Sequence, residues 1–373
     1  AFEFQPIGYG IQLGPNAFHM FDRLGVASRV LRSCTFPNAG IMRDIVTGDE
    51  ITRLPMGDAL KHRYGQPYAV IHRGDLHNAL LEACKGLPNI KMLTASRVES
   101  YEQTGKVVSV TCADGTVHTG CVLIGADGVW SKVRDQMGAG IAQPQSLGYV
   151  AYRGLRKRSE IPPALFEQNV NLWSGPGYHM MHYPVRSDEL FNIVAVFRSR
   201  RFASGRKDHS GPDELLEIFK DACPHVRDLL DLVDTEKHWD ISVMEPVSSW
   251  CNGRVALLGD AAHAMLQAMA QGACQAIEDA VWLAEYLSAS RDDIPAALRR
   301  YQQHRQLRAV RMQYQSRFYW EVYHAGGVYA ELRKQLLARS PEEAMESLAW
   351  VYDRQQFPEK EIAKGVEREN LPV

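Results

Sequence analysis

The stretch RVALLGDAAHAMLQAMAQGACQAIEDAVWLAEYL, from Arg254 to Leu287, decides the fold. Its apolar strand pattern stops at Gly259-Asp260, and a helical pattern starts again at Gly272-Ala273. A buried strand ending in a lone carboxylate, followed by a glycine-opened helix, makes two half-sites for one extended ligand. Asp260 can accept hydrogen bonds from ligand hydroxyls, and free N–H groups near Gly272 and Ala273 turn the positive end of a helix toward an electron-rich group. A strand, a loop and a core helix without a ligand share this spacing, so the pattern alone leaves both readings open.

A second turn of the same kind lies upstream in GADGVWSKVR, Gly125 to Arg134, where a buried run, CVLIGA, precedes Asp127-Gly128 and a polar helix start follows. Asp114-Gly115 differs, because it separates two strand-like runs and reads as a hairpin turn. From Pro15, Phe18, Phe21 and Leu24 recur at helical spacing until Gly25. Leu76, Leu80, Leu81 and Cys84 mark a second helix entered from the strand-like Tyr68 to His72, with Arg73 at the junction. The middle of the chain holds strand candidates YVAYRGL, NVNLWSG, YHMMHYPV and LFNIVAVFR, with helices at Pro212 to Ala222 and His225 to Val233. Beyond Asp260 nearly everything is helical, and in the long segment Ile294 to His324 the residues Tyr314, Phe318 and Tyr319 suit packing against the sheet or a partner subunit. Gly8-Tyr9-Gly10 with Gly14 imitates a dinucleotide turn, but the third glycine comes one position late and Pro6 spoils the strand before it.

The 42 basic and 44 acidic residues nearly balance, which argues against a nucleic-acid or polyanion partner. The seven cysteines form no CxxC pair and are odd in number, which suits a reducing compartment and offers no metal site. No run approaches a membrane span or a signal peptide, so a cytoplasmic protein is expected.

GDAAHAMLQAMAQGACQAIEDAV resembles the second flavin motif of the single-component flavoprotein aromatic hydroxylases, the para-hydroxybenzoate hydroxylase-like class, and GADGVWSKVR resembles the Asp-Gly motif of that class. The likeness runs to about Asp353. Within the class, GIQLGPNAF, QPYAVIHRGDLHNALLEA, YHMMHYPV and VYHAGGV look most like the 3-hydroxybenzoate 6-hydroxylases. The resemblance implies an α/β protein: an FAD-binding Rossmann-like (GR2-type) domain at 1–145 and 247–290, an inserted sheet-based substrate domain at 146–246, a helical region at 291–353 and a polar tail at 354–373. It aligns IGYGIQLGPNAF after the first strand-helix-strand unit of the class, so roughly thirty residues or more with the ADP-binding turn are expected to be missing ahead of the given chain.

The implied cofactor is FAD, with NADH or NADPH as co-substrate and O2 consumed. Arg73 is expected along the flavin and its pyrophosphate, Asp127 and Asp260 on cofactor hydroxyls, Gly128 and Gly259 at close backbone approaches, and Gly272 and Ala273 at the ring. Flavin hydroxylation needs an electron-rich ring, and a phenol serves best as its phenolate. His179 and Tyr183 lie four apart in YHMMHYPV and so share one face of a strand. By resemblance His179 is the proton acceptor, Tyr183 its hydrogen-bonding aid and Gln267 the residue that orients the substrate, while His182 faces the other way as a structural residue. The implied reaction is hydroxylation of 3-hydroxybenzoate to 2,5-dihydroxybenzoate by a homodimer. The alternatives are salicylate or hydroxynicotinate hydroxylation, or a non-catalytic relative that has lost FAD.

Overall fold

In the computed structural model, which describes residues 8–138, 143–205 and 211–357, Arg254–Leu287 forms the strand Val255–Leu257, the short helix Asp260–His263 and the helix Gly272–Ala289. Val255–Leu257 is fully buried and pairs in parallel with Leu123–Gly125, Leu257 opposite Gly125. The ladder stops where Gly259 turns to φ +61, a backbone state open to glycine and strained for other residues. The helix Pro15–Leu24 starts on a proline and ends on Gly25 at φ +70, as its pattern predicts. Gly10–Leu13 pairs antiparallel with Ala69–His72 in a separate small sheet, so Gly8 and Gly10 lead into a strand and cradle no phosphate. Residues 1–7, with the Pro6 argument, and the tail from 358 onward lie outside the described residues.

The main sheet has seven strands in the order Asp234–Val243, Gln145–Lys157, Leu190–Arg198, Tyr178–Val185, Val170–Gly175, Ala39–Asp44, Glu50–Pro55. The segment expected at 146–246 supplies the first five of these. The last two come from inside the stretch 1–145, through a parallel pairing of Val170–Ser174 with Gly40–Asp44. Sequence reasoning also passed over Asp234–Val243. These strands form or adjoin the sheet edges, where polar residues are tolerated: Asp234–His238 opens on five polar residues, so the alternation of Trp239, Ile241 and Val243 covers only the end of its strand, and EITRLP has just two aliphatic residues.

One face of the sheet packs Trp173, Met180, Phe191, Ile193 and Phe197 against the helices Pro212–Phe219 and Pro224–Leu230. His182 lies on this face, as expected. Its ring stacks 6.3 Å from Trp173 and 5.3 Å from Phe191, and neither ring nitrogen has a hydrogen-bond partner among the described residues. Burial, helped by His225 and Arg43, pushes its pKa down to about 3. An unfolded histidine titrates near 6.5, so the stability tied to neutral His182 is complete above that pH and is lost as the pH falls toward 3, by about 2 kcal/mol at pH 5. His182→Leu abolishes this loss. The acid-unfolding midpoint, followed by tryptophan fluorescence, is expected to move to lower pH; an unmoved midpoint would contradict the assignment.

The opposite face carries His179, Met181, Tyr183 and Val185. It is covered by the loop Leu266–Ala270, by the 30-residue helix Ile294–Tyr323 and by the last helices of the described chain.

Candidate active site

The two Asp-Gly or Gly-Asp turns meet at the carboxyl ends of the parallel strands Leu123–Gly125 and Val255–Leu257, where Leu258 N donates to Gly125 O at 2.9 Å. This crevice outside the strand ends is where α/β sheets bind nucleotides. Asp260 is exposed there, and no hydrogen bond within the described residues occupies its carboxylate. Asp127 behaves differently. Its carboxylate accepts from Ser131 Oγ at 2.5 Å, Lys132 N at 2.8 Å and Val133 N at 3.2 Å. Three of about four acceptor sites are thus taken by its own turn, and Asp127 shapes the start of the helix Lys132–Met137. Gly128 has φ +79 and open space where a Cβ would stand, so the turn needs glycine for its backbone angle. Sequence reasoning missed Arg134. Its guanidinium is fully buried and donates to Val129 O at 2.7 Å and Ala261 O at 3.3 Å, joining the two turns.

Gly272 and Ala273 open the 18-residue helix Gly272–Ala289, whose first N–H groups have no intrahelical acceptor. A Cβ on Gly272 would come no closer than 3.9 Å to a neighbour, so the approach is open. Behind this helix start lies a buried charge network. Glu278 and Asp279 receive Arg305 at 2.5 and 2.8 Å, Asp279 also contacts His263 at 2.6 Å and accepts from Gly259 N at 3.1 Å, and Glu278 accepts from Asn16 at 2.6 Å. Burial alone would raise the Glu278 carboxyl, but Arg305 and Arg308 hold it well below the usual carboxylate range. Burial also works to raise Asp279, and His263 and Arg305 outweigh it and lower its carboxyl. The turn bearing Asp260 is therefore fixed from behind by side chains of two helices. A free carboxylate at a strand end and an open helix start fit FAD. Arg73 stands exposed at the first position of the helix Arg73–Lys85, its N–H bonded to Tyr9 O at 2.9 Å, and leans on Gly8, where a Cβ would stand 2.6 Å from that of Arg73.

Between the sheet and its helical cover lies a cavity of about 220 Å³, larger than the about 150 Å³ apolar cavity that admits a benzene ring. Met181 forms part of its wall and Gln267 part of its rim. His179 and Tyr183 flank Met181 on the same sheet face, as their spacing requires, yet neither belongs to the cavity lining. His179 is 1 % exposed, with the ring of the lining residue Tyr323 5.8 Å away. Burial and the neighbouring His324 hold its imidazole well below 6.5. The ring of Tyr183 lies under Gly10, where a Cβ would come within 2.5 Å, so only glycine lets that strand cross. Burial raises the Tyr183 phenol despite Arg153. Lining residues that sequence reasoning passed over are Gln12, Tyr68, Tyr323 and Tyr352. Gln12 accepts from Tyr68 Oη at 2.6 Å and approaches Met181 Sδ at 3.1 Å. A lone glutamine inside GIQL, polar in an otherwise apolar strand, is its one signal in the sequence. Among the described residues, no group of three His, Cys, Asp or Glu side chains is placed to hold a metal ion.

Parallel strand ends that suit a nucleotide, joined to a largely antiparallel sheet that walls an apolar cavity, fit a flavoprotein hydroxylase. The FAD binding domain family matches residues 9–316. The chain belongs to this family and is an FAD-dependent monooxygenase. It is 40% identical to 3-hydroxybenzoate 6-hydroxylase of Polaromonas naphthalenivorans strain CJ2, over 94% of this chain and 87% of that one. To 3-hydroxybenzoate 6-hydroxylase of Klebsiella oxytoca it is 36% identical, over 94% and 88%. Its fold is similar to the crystal structure of Klebsiella pneumoniae HpxO complexed with FAD and uric acid, with a TM-score of 0.80 and 27% identity over 92% of this chain and 87% of that one.

Proposed function

We propose that this monooxygenase converts 3-hydroxybenzoate to 2,5-dihydroxybenzoate, with NADH oxidised to NAD+ and one O2 split between the new hydroxyl and water. The observation that carries the reading is the face of Tyr178–Val185, on which His179 and Tyr183 bracket the cavity residue Met181, in a chain 40% identical to a 3-hydroxybenzoate 6-hydroxylase. The cavity lining supports an anionic substrate: it holds two cations, Arg53 and Arg339, and no carboxylate. Arg53 is already paired with Glu50 at 2.6 Å, which leaves Arg339 as the stronger pull on an incoming acid.

When bound, FAD would supply the oxygen chemistry. The protein supplies the rest. Asp260 and the N–H groups of Gly272 and Ala273 would hold the cofactor, Arg73 would offer a cation to its pyrophosphate, and Asp127 shapes the turn that presents the Gly128 backbone. Gln267 orients the substrate from the rim. His179, with Tyr183 as its aid, accepts the phenolic proton and leaves the ring electron-rich. Low-dielectric walls keep water from the reacting carbon.

We assign a homodimer in the cytoplasm. Leu307, Tyr314 and Phe318 form one exposed stripe on the long helix, and Val328 and Tyr329 are exposed on the next, exposed apolar surface of the kind that marks subunit contacts. The described cysteines are all free, and no described helix is long and apolar enough to cross a membrane. The test of function is a substrate panel. Purified holoenzyme given NADH and 3-hydroxybenzoate, salicylate or 6-hydroxynicotinate is expected to form 2,5-dihydroxybenzoate from the first with little uncoupled NADH oxidation. Faster product formation from either of the others would replace the reading.

A further inference from the structure

His179 has a partner that neither its strand nor its spacing reveals. Nδ1 of His179 lies 2.8 Å from Nε2 of His324, the residue that closes the C-terminal end of the helix Ile294–Tyr323. Both imidazoles are buried, at 1 and 9 % exposure. Each neutral ring carries one N–H, so across this contact one nitrogen donates and the other accepts. With the proton on Nδ1 of His179, its Nε2 offers a lone pair, and among the described residues nothing occupies it. The far nitrogen of His324, Nδ1, is buried without a partner.

We propose that His324 is the second station for the substrate's phenolic proton. The phenolic O–H breaks as an N–H forms at Nε2 of His179, and the Nδ1–H of His179 passes to Nε2 of His324. The products are a phenolate, a neutral His179 and a singly charged His324. The charge then rests at the end of a 30-residue helix, where the helix dipole favours a cation, and not on the imidazole against the substrate. The proposal rests on the reading of His179 as the proton acceptor. Burial holds His324 down to about 4, so both rings start neutral at working pH.

The other groups facing the pair do not replace this role. Tyr149, from Gln145–Lys157, stacks 4.8 Å from His324 and is raised above 10 by burial and Glu321. Tyr323, on the long helix, is raised further by burial and donates its hydroxyl to Ala268 O at 2.5 Å. Trp320 packs edge-on against both imidazoles. Ser174, opposite His179 on the next strand, receives Arg333 at 2.8 Å, and Arg333 is paired with Asp44 at 3.5 Å. No described carboxylate is bonded to either imidazole.

The test reads ionisation of bound 3-hydroxybenzoate in the oxidised holoenzyme, from the ultraviolet phenolate band across a pH series, and so needs no turnover. His324→Phe keeps an aromatic ring beside Tyr149 and Trp320 but removes the acceptor. It is expected to raise the pH at which the bound phenol ionises by about one unit, a tenfold loss of phenolate at fixed pH, with FAD content and substrate Kd unchanged. His324→Gln keeps a hydrogen-bonding nitrogen near Nε2 but cannot carry the proton, and the same shift is expected. It also carries the test if the phenylalanine variant fails to fold. Wild-type ionisation in both variants overturns the proposal, and wild-type ionisation in the glutamine variant alone makes His324 merely an orienting group and equally overturns it. His179→Ala separates the two levels. If that variant leaves bound-phenol ionisation unchanged, the reading of His179 fails; if it shifts ionisation while the His324 variants do not, only the relay fails.

Discussion

His179→Ala is expected to slow hydroxylation by about 10²- to 10⁴-fold, the range by which a positioned general base accelerates proton removal, while FAD stays bound. The separation follows from geometry. His179 stands on the sheet, among Trp320, Tyr323 and His324, whereas Asp260, Gly272 and Ala273 belong to the crevice at the strand ends and do not touch it. The loss should fall on kcat at saturating substrate, since the base acts on a ring already seated over Met181. The pH dependence has a definite sign. Burial and His324 keep His179 below 6.5, so the wild-type base remains unprotonated through neutral pH and activity should fall only on the acid side. Stopped-flow and steady-state rates at several pH values check this, alongside the flavin absorbance of the purified variant. A kcat equal to wild type would remove His179 from the mechanism.

Arg305→Ala is the second large effect. It leaves Glu278 and Asp279 fully buried with their principal cation gone, and breaking such a pair from one side costs about 3–5 kcal/mol. In the wild type both carboxyls titrate below their ordinary range, so the network's contribution is complete above the unfolded carboxylate pKa near 4 and is lost as the pH falls through the folded values. The deficit of the variant should accordingly be largest at neutral pH and shrink in acid. Because Asp279 also accepts from Gly259 N, the variant should retain less flavin as well. Equilibrium denaturation at pH 7 and near pH 4 measures the first effect, and flavin stoichiometry the second. Equal stability of the two proteins at pH 7 would sink the argument.

What the sequence made legible were elements whose periodicity is strong and whose ends are chemically marked. Gly25 ends one helix, Gly259 breaks the ladder, and Gly272 opens the helix Gly272–Ala289, each at the predicted position. Strand alternation correctly separated His179 and Tyr183 from His182. Contacts between distant elements were not legible. Nothing in VYHAGGV says that His324 will meet His179 across 145 residues of chain, and Gln12 reaches Tyr68 and Met181 only after the small N-terminal sheet has docked. Asp127 shows the reverse limit: a motif marked the residue, but only the hydrogen bonds show its carboxylate largely committed to its own turn.

The parallel pairing of Val170–Ser174 with Gly40–Asp44 interlocks the two halves of the molecule. The piece that walls the cavity cannot be excised as an autonomous module, because cutting it out would strip a central ladder and leave Val170–Gly175 as a raw, sticky border. For the same reason, shuffling this region between homologues requires that residues 39–55 travel with it.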